Sequence, residues 1–296
     1  MAVNAGGGKR TVRSLVLAAA ARLERAGVSY GHGTTNAFDE AAWLVLHALG
    51  LPVHDLAAHL DDTPEPARVK DARALVARRI RTRKPAAYLL REAWLGAHRF
   101  YVDERVIVPR SFIAELLRER LAPWIAQPSR VSGVLDLCTG SGCLAIVAAL
   151  AFPRARVDAA DLSGDALAVA RRNVDAYGLG ARVHLVASDL FDALGGRAYD
   201  LIVSNPPYVT AATMRRLPQE YRREPEMALA SGVDGLAHTR LILARAREHL
   251  RPGGLLVVEI GHNRRRLERA FPRLAFTWPQ TSAGAGYVFL LRREDL

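Results

Sequence analysis

The chain has 296 residues, half of them apolar, which is enough to bury one large core and a smaller one and excludes disorder over most of its length. Its formal charge is +11 with a pI near 10.3, and arginine supplies nearly all of the positive charge because only three lysines occur. Such a surface suits polyanionic surroundings, although enrichment in Ala and Arg along the whole chain fits a compositional bias equally well. The two cysteines, Cys138 and Cys143, form no CxxC pair and have no histidine pair beside them. That argues against a structural zinc or a disulfide framework and fits a reducing cytosol.

Lys9, Arg10 and Arg13 precede an apolar run, Leu15 to Ala21, in the manner of an export signal. The run is short and is interrupted by Arg22, Glu24 and Arg25, so a cytoplasmic protein is expected. No segment has the ~20 uninterrupted apolar residues of a membrane span. Residues 1–85 read as a small helical domain, with apolar positions at helical spacing in Thr11–Gly27, Asp39–Leu49 and Pro66–Arg83. Asn36 is placed to cap the second helix, and Gly50 with Pro52 to close it. Over residues 86–109, aromatic and β-branched residues on either side of Gly96 predict a β-hairpin linker.

Residues 110–296 read as a larger α/β domain. Strands are predicted at Val131–Leu137, Val157–Asp161, Val183–Ala187, Leu201–Ser204 and Leu255–Ile260, with helices at Gly142–Phe152, Gly164–Tyr177 and Ala237–Leu250. This alternation implies a parallel sheet with helices on both faces. Phe276–Trp278 and Tyr287–Leu291 are too close in sequence for a crossover, so the last two strands are expected to be antiparallel in a seven-stranded, Rossmann-like sheet.

Asp136-Leu-Cys138-Thr139-Gly140-Ser141-Gly142 falls at the carboxyl end of the first parallel strand, where open α/β sheets bind ligands. The glycines alone also satisfy a dinucleotide pattern. The carboxylates distinguish the two: Asp136 would repel a pyrophosphate but attract the ammonium of a methionine moiety. Asp161, ending the second strand, can accept two ribose hydroxyls. Asp189, ending the third, can accept an adenine amino group, with Leu190 beside the ring. The trio favours S-adenosylmethionine (SAM), each aspartate by itself being equally readable as a cap or turn residue.

Asn205-Pro206-Pro207-Tyr208 follows the fourth strand directly. An amide nitrogen is a weak nucleophile because its lone pair is delocalised, so it must be held facing the methyl donor. The Asn205 side-chain oxygen and the Pro206 carbonyl can each accept one N–H, contacts that strengthen as positive charge grows on nitrogen. The prolines restrict the backbone and remove competing N–H groups, and Tyr208 can cover the planar acceptor with its ring. No metal is required.

These residues resemble the class I SAM-dependent methyltransferases, specifically the glutamine-N5 methyltransferases of translation proteins. Val108-Pro-Arg110-Ser111 is similar to that family's Pro-Arg motif, and Glu224-Pro-Glu226 through Ser231-Gly-Val-Asp-Gly235 to its segment after the Asn-Pro-Pro-Tyr box. Ser111-Phe-Ile in place of Pro-Glu-Thr, and Tyr30-Gly-His32-Gly-Thr34 in the small domain, resemble the branch that methylates the third large-subunit ribosomal protein rather than a release factor. The resemblance implies a substrate-recognising N-terminal domain, and a cofactor site from Asp136, Cys138, Thr139, Gly140, Ser141, Gly142, Asp161, Leu162, Asp189, Leu190 and Asn205. It implies acceptor contacts from Asn205, Pro206 and Tyr208, with Arg110, Ser111 and Glu226 shaping the channel, and a ribosomal-protein partner with rRNA nearby. Cys138 stands where glycine is usual, and Phe112 where proline is expected. His32 reads as structural or docking, and Arg78–Lys84 as a solvated helix face that can touch RNA. Two other readings compete: an adenine-N6 nucleic-acid methyltransferase, since an adenine amino group presents the same two N–H bonds, and a non-catalytic RNA-binding assembly protein.

Overall fold

A computed structural model of the chain describes residues 11–296; Lys9 and Arg10 of the signal-like stretch lie outside them. The chain forms two compact units, one of residues up to Arg91 together with Pro218–Arg223, the other of Glu92–Leu217 and Glu224–Leu296. Among the described residues no helix is long and apolar enough to cross a membrane.

The smaller unit is built on α1 (Val12–Arg25), α2 (Ala37–Leu49) and α3 (Pro66–Thr82). The signal-like run lies within α1, whose buried face carries Leu15, Val16, Ala19 and Leu23 at helical spacing while Leu17 is exposed. Asn36 Oδ1 accepts the Asp39 N–H at 2.9 Å, and Gly50 ends α2 in the left-handed region at φ +72°. Arg79, in the basic run, is 0% exposed rather than solvated. Its guanidinium donates to Glu40 at 2.8 Å, to Glu220 at 3.3 Å and to the Ser29 carbonyl at 2.9 Å. Arg83 donates to Glu220 and to the carbonyls of Gly27 and Ala26. Only positions such as Arg78 and Arg81 stay at the surface, so the run's solvated-face reading is corrected at Arg79 and Arg83. Burial raises the Glu40 carboxyl above its ordinary range, with Arg79 opposing that shift. His32 is buried with its ring 4.2 Å from that of Tyr221, an internal packing position.

The larger unit opens with β1 (Ala93–Leu95) and β2 (His98–Phe100), an antiparallel hairpin turning at Gly96. Its sheet contains β3 (Gly133–Leu137), β4 (Arg156–Asp161), β5 (Val183–Ala187), β6 (Tyr199–Ser204), β7 (Leu250–Glu259) and β8 (Val288–Arg292), in the order β8-β7-β6-β3-β4-β5. All neighbours pair in parallel except β8, which is antiparallel to β7. The crossovers carry α4 (Cys143–Ala151), α5 (Gly164–Ala176) and α6 (Ala237–Arg245). Side chains alternate between two cores. Val134, Leu201, Val203 and Val257 pack on one face, and Leu135, Leu137, Ile202, Leu256 and Val258 on the other, as expected for strands buried on both sides.

The sheet has six strands, not the expected seven. Phe276–Trp278 makes a single antiparallel bridge, Thr277 with Leu290. Leu274 accepts the Phe276 N–H in a turn on one side, and Pro279 has no N–H to extend a ladder on the other. The rings of Phe276 and Trp278 pack instead against Phe289, at 5.0 and 6.1 Å.

Replacing Arg79 with Leu strands Glu40 as a buried carboxylate without a cation and leaves Glu220 with Arg83 alone. A loss of about 3–5 kcal/mol in denaturant unfolding is expected, partly restored by adding Glu40→Gln; a loss below about 1 kcal/mol contradicts this account.

Candidate active site

The parallel strands β3, β4, β5 and β6 end along one edge, and the sequence places Asp136, Asp161, Asp189 and Asn205 at or just beyond those ends. Asp136 is fully buried. Its Oδ2 accepts the Thr139 hydroxyl at 2.6 Å and the Ala145 N–H at 3.0 Å, closing the glycine loop, while its Oδ1 meets no donor among the described residues. Asp161 accepts the Gly140 N–H at 2.8 Å on one oxygen and the Ser163 N–H at 2.9 Å on the other, so it ties the loop to the end of β4. Burial raises its carboxyl above the ordinary range. Gly142 starts α4 at φ +79°, and a Cβ there would lie 3.1 Å from that of Ala170, so glycine permits the close packing of α4 on α5.

Within the loop, Cys138 and Gly140 line the main cavity, whereas Thr139 and Ser141 are buried in the support beneath it. Cys138 adopts φ +57°, which accounts for the glycine usually found there; an L residue in this region costs about 1–2 kcal/mol. Burial raises both thiols, that of Cys143 to about 12 and that of Cys138 further, so neither supplies a thiolate at neutral pH. Asn173, on α5, was not anticipated. Its side chain accepts the Tyr101 N–H at 2.7 Å and donates to the carbonyls of Tyr101 and Ser141, joining the hairpin's exit to the glycine loop.

The Asn205-Pro206-Pro207-Tyr208 corner is clamped from behind. Asn263 donates through Nδ2 to the Tyr208 carbonyl at 2.9 Å, and Arg266 orients that amide by donating to Asn263 Oδ1 at 2.7 Å. The Tyr208 ring lies on Gly261, where a Cβ would come within 2.7 Å of a ring carbon. Asn263 and Gly261 carry no motif by which the sequence announces them. Asn205 Oδ1 is buried with no donor among the described residues.

Arg110 pairs with buried Glu224, its Nη1 2.6 Å from Oε1, and the Val108 N–H donates to that same oxygen at 2.9 Å. Ser111 is buried and donates to Glu259 at 2.7 Å, and the Phe112 N–H donates to the same Glu259 oxygen at 2.9 Å. Proline at 112 could not make that last bond, which phenylalanine supplies. Glu226 is exposed and lines neither cavity described below. The acidic residue that grips the Pro-Arg motif is Glu224, two positions earlier.

Two cavities meet at this edge. The larger, about 710 Å³, is lined by Cys138, Gly140, Asp161, Leu162, Asp189, Leu190, Asn205 and Pro207, and by Arg105, Pro225, Met227 and His238, which sequence reasoning missed. Leu162 is 60% exposed, an apolar surface left open beside the cavity. The smaller, about 270 Å³, is lined by Ile107, Arg110, Asn205, Pro206, Tyr208 and Leu229. Ile107, Asn205 and Ala228 line both, and Asn205 is the polar one of the three.

The fold and this strand-edge constellation define a Rossmann-like methyltransferase. Residues 115–277 match the Methyltransferase small domain family, and residues 15–90 match the PrmC N-terminal domain. The chain is similar in fold to the hMettl16 catalytic domain solved with a MAT2A 3'UTR hairpin, at a TM-score of 0.50 and 13% identity, covering 77% of this chain and 81% of that one. It is 54% identical to a ribosomal protein uL3 glutamine methyltransferase of Neisseria meningitidis serogroup B, over 97% of this chain and 94% of the relative. It is 53% identical to the enzyme of that name from Burkholderia pseudomallei, over 97% and 96%. The chain belongs to the ribosomal protein uL3 glutamine methyltransferase family.

Burial pushes the carboxyls of Asp136 and Glu259 up to about 7. Against an ordinary value of about 4 in the unfolded chain, each takes up a proton on folding between about pH 4 and pH 7. The stability each contributes is therefore present below about pH 4 and lost as pH rises through about 7. Glu259→Gln keeps an acceptor oxygen and should make the decline of unfolding free energy between pH 5 and pH 8 shallower; denaturant titrations across that range that superimpose on the parent's would rule this out.

Proposed function

We propose that the chain transfers a methyl group from SAM to the side-chain amide nitrogen of a glutamine in ribosomal protein uL3. The observation that carries this reading is Asn205, the polar side chain common to both cavities, with a buried Oδ1 that no group among the described residues satisfies. A buried acceptor without a donor is costly, and one facing a ligand cavity is relieved by a ligand N–H.

The larger cavity fits SAM by the chemistry of its donors and acceptors. Beneath the glycine loop, Asp136 keeps one buried oxygen without a donor among the described residues, suited to a methionine ammonium. Asp161 has lone pairs left on both oxygens for ribose hydroxyls. Asp189 with Leu190 and Leu162 offers an acceptor and two apolar surfaces for an adenine. When bound, SAM supplies an electrophilic methyl group. The chain's part is to hold the acceptor: Asn205 Oδ1 and the Pro206 carbonyl each take one N–H of the NH2 group, which fixes the nitrogen's approach and strengthens both contacts as charge develops. Tyr208, held by Gly261 and Asn263, covers the planar amide. The amide proton is lost to solvent after transfer, so a strong base at the corner is not required.

The relatives' shared name, at 54 and 53% identity over nearly the whole chain, supports uL3 over a release factor as the acceptor. A ribosomal-protein substrate is in keeping with a cytoplasmic enzyme that acts on uL3 either free or within an assembling ribosome. Labelled SAM offered with uL3, a release factor, RNA or DNA tests the reading: label should enter uL3 and survive as methylglutamine, and label confined to adenine would overturn it. Asn205→Ala should lower turnover about 100- to 1,000-fold while SAM affinity by calorimetry stays near the parent's; unaltered turnover would remove Asn205 from the chemistry. Asp161→Ala should weaken SAM binding about 10- to 100-fold before the melting temperature falls appreciably, and equal affinities would count against the ribose assignment.

A further inference from the structure

Beside the acceptor corner lies a groove of about 990 Å³, open to solvent and unused by the proposed chemistry. It is lined by Gly261, His262, Arg264, Arg265, Arg266, Arg269, Ala285, Gly286 and Tyr287. The short helix α7 (Arg264–Ala270) buries Leu267 and turns its basic residues outward. His262, Arg265, Arg266 and Arg269 follow i, i+3, i+4, i+7 spacing and all four are exposed, making one continuous stripe. The one carboxylate in residues 261–270, Glu268, is engaged by Arg264 at 2.9 Å. Nothing acidic within the segment therefore offsets Arg265 and Arg269.

Flat rings accompany the charge. Tyr287 lies at the groove's edge with the His262 ring 4.9 Å away in an edge-on arrangement, and Arg264 sits over the Trp278 ring at 4.6 Å. Gly286, at φ +114°, leaves room for Arg264, since a Cβ there would approach its Cδ to 3.0 Å. Guanidinium planes interleaved with aromatic faces suit phosphates and unstacked bases together, whereas an acidic peptide would use the charge alone. The same loop holds the acceptor corner, through Gly261 under the Tyr208 ring and Asn263 on the Tyr208 carbonyl. The groove and the acceptor corner are thus joined through one loop.

We infer that this groove binds a single-stranded or irregular RNA segment, presented alongside the protein substrate; the choice of RNA rests on the reading that the acceptor is a ribosomal protein. Arg265 and Arg269 contact successive phosphates, and Tyr287 and His262 offer ring surfaces to a base. The groove thereby selects uL3 that is already associated with RNA.

Fluorescence anisotropy of the full chain with a labelled ribosomal RNA fragment, over a salt series, tests this. The Arg265→Ala/Arg269→Ala pair should reduce the log–log salt slope by about 1.4 and weaken RNA binding about 10- to 30-fold near 0.1 M salt. Lysine at both positions should restore most of the slope. SAM affinity, and methylation of uL3 stripped of RNA, should stay at the parent's level. An unchanged slope, or equally tight binding of a polyglutamate peptide, overturns the proposal. RNA binding that depends on these arginines in a chain that does not methylate uL3 would overturn the proposed function and leave the groove standing, so the two failures are distinguishable.

Discussion

An amide acceptor has two N–H groups to be held, and a backbone corner that offers two oxygens works only while its own donors stay out of the way and its shape does not drift. Pro206 and Pro207 remove the donors and restrict φ. They do not set where the corner sits. That is done by Tyr208, whose ring rests on Gly261 with no room for a Cβ and whose carbonyl receives the Asn263 amide, itself oriented by Arg266. The end of β6 and the loop leaving β7 are thus locked together at the point where the two cavities share Asn205. Every other feature of the site is arranged around that junction.

The carboxylates of the larger unit divide into two kinds. Asp161 and Asp136 use backbone N–H groups and a hydroxyl to shape the glycine loop; Asp161 also lines the cavity, and Asp136 keeps one buried oxygen without a donor among the described residues. Glu224 and Glu259 are spent on the chain itself: the first anchors Arg110 and Val108, the second Ser111 and Phe112. The Pro-Arg stretch is therefore held at both ends by buried carboxylates, and its arginine serves mainly to neutralise one of them. In the smaller unit Arg79 plays the corresponding part between Glu40 and Glu220. Buried arginines that complete ion pairs account for some of the chain's basic composition without any partner, while α7 carries arginines that nothing acidic within its segment offsets.

The alternation of strands and helices, the order of strand-end residues and the Asn-Pro-Pro-Tyr box were legible from residue order, because each depends on local periodicity or on residue types whose chemistry is nearly unique in that setting. Strand boundaries at Val183–Ala187, the cap at Asn36 and the helix end at Gly50 are local matters of the same kind. What only the tertiary structure decided are contacts between residues far apart in the chain. These include Glu224, not Glu226, on Arg110; Glu259 beneath Phe112; Arg79 drawn inward; Asn173 bridging hairpin and loop; and Gly261 and Asn263 behind Tyr208. The seventh strand belongs with them, since whether Phe276–Trp278 becomes a ladder depends on Pro279 and on packing against Phe289 rather than on β propensity alone. Local sequence sets which groups are available, and only the folded backbone sets which carboxylate meets which guanidinium, because burial and distance are properties of the whole chain.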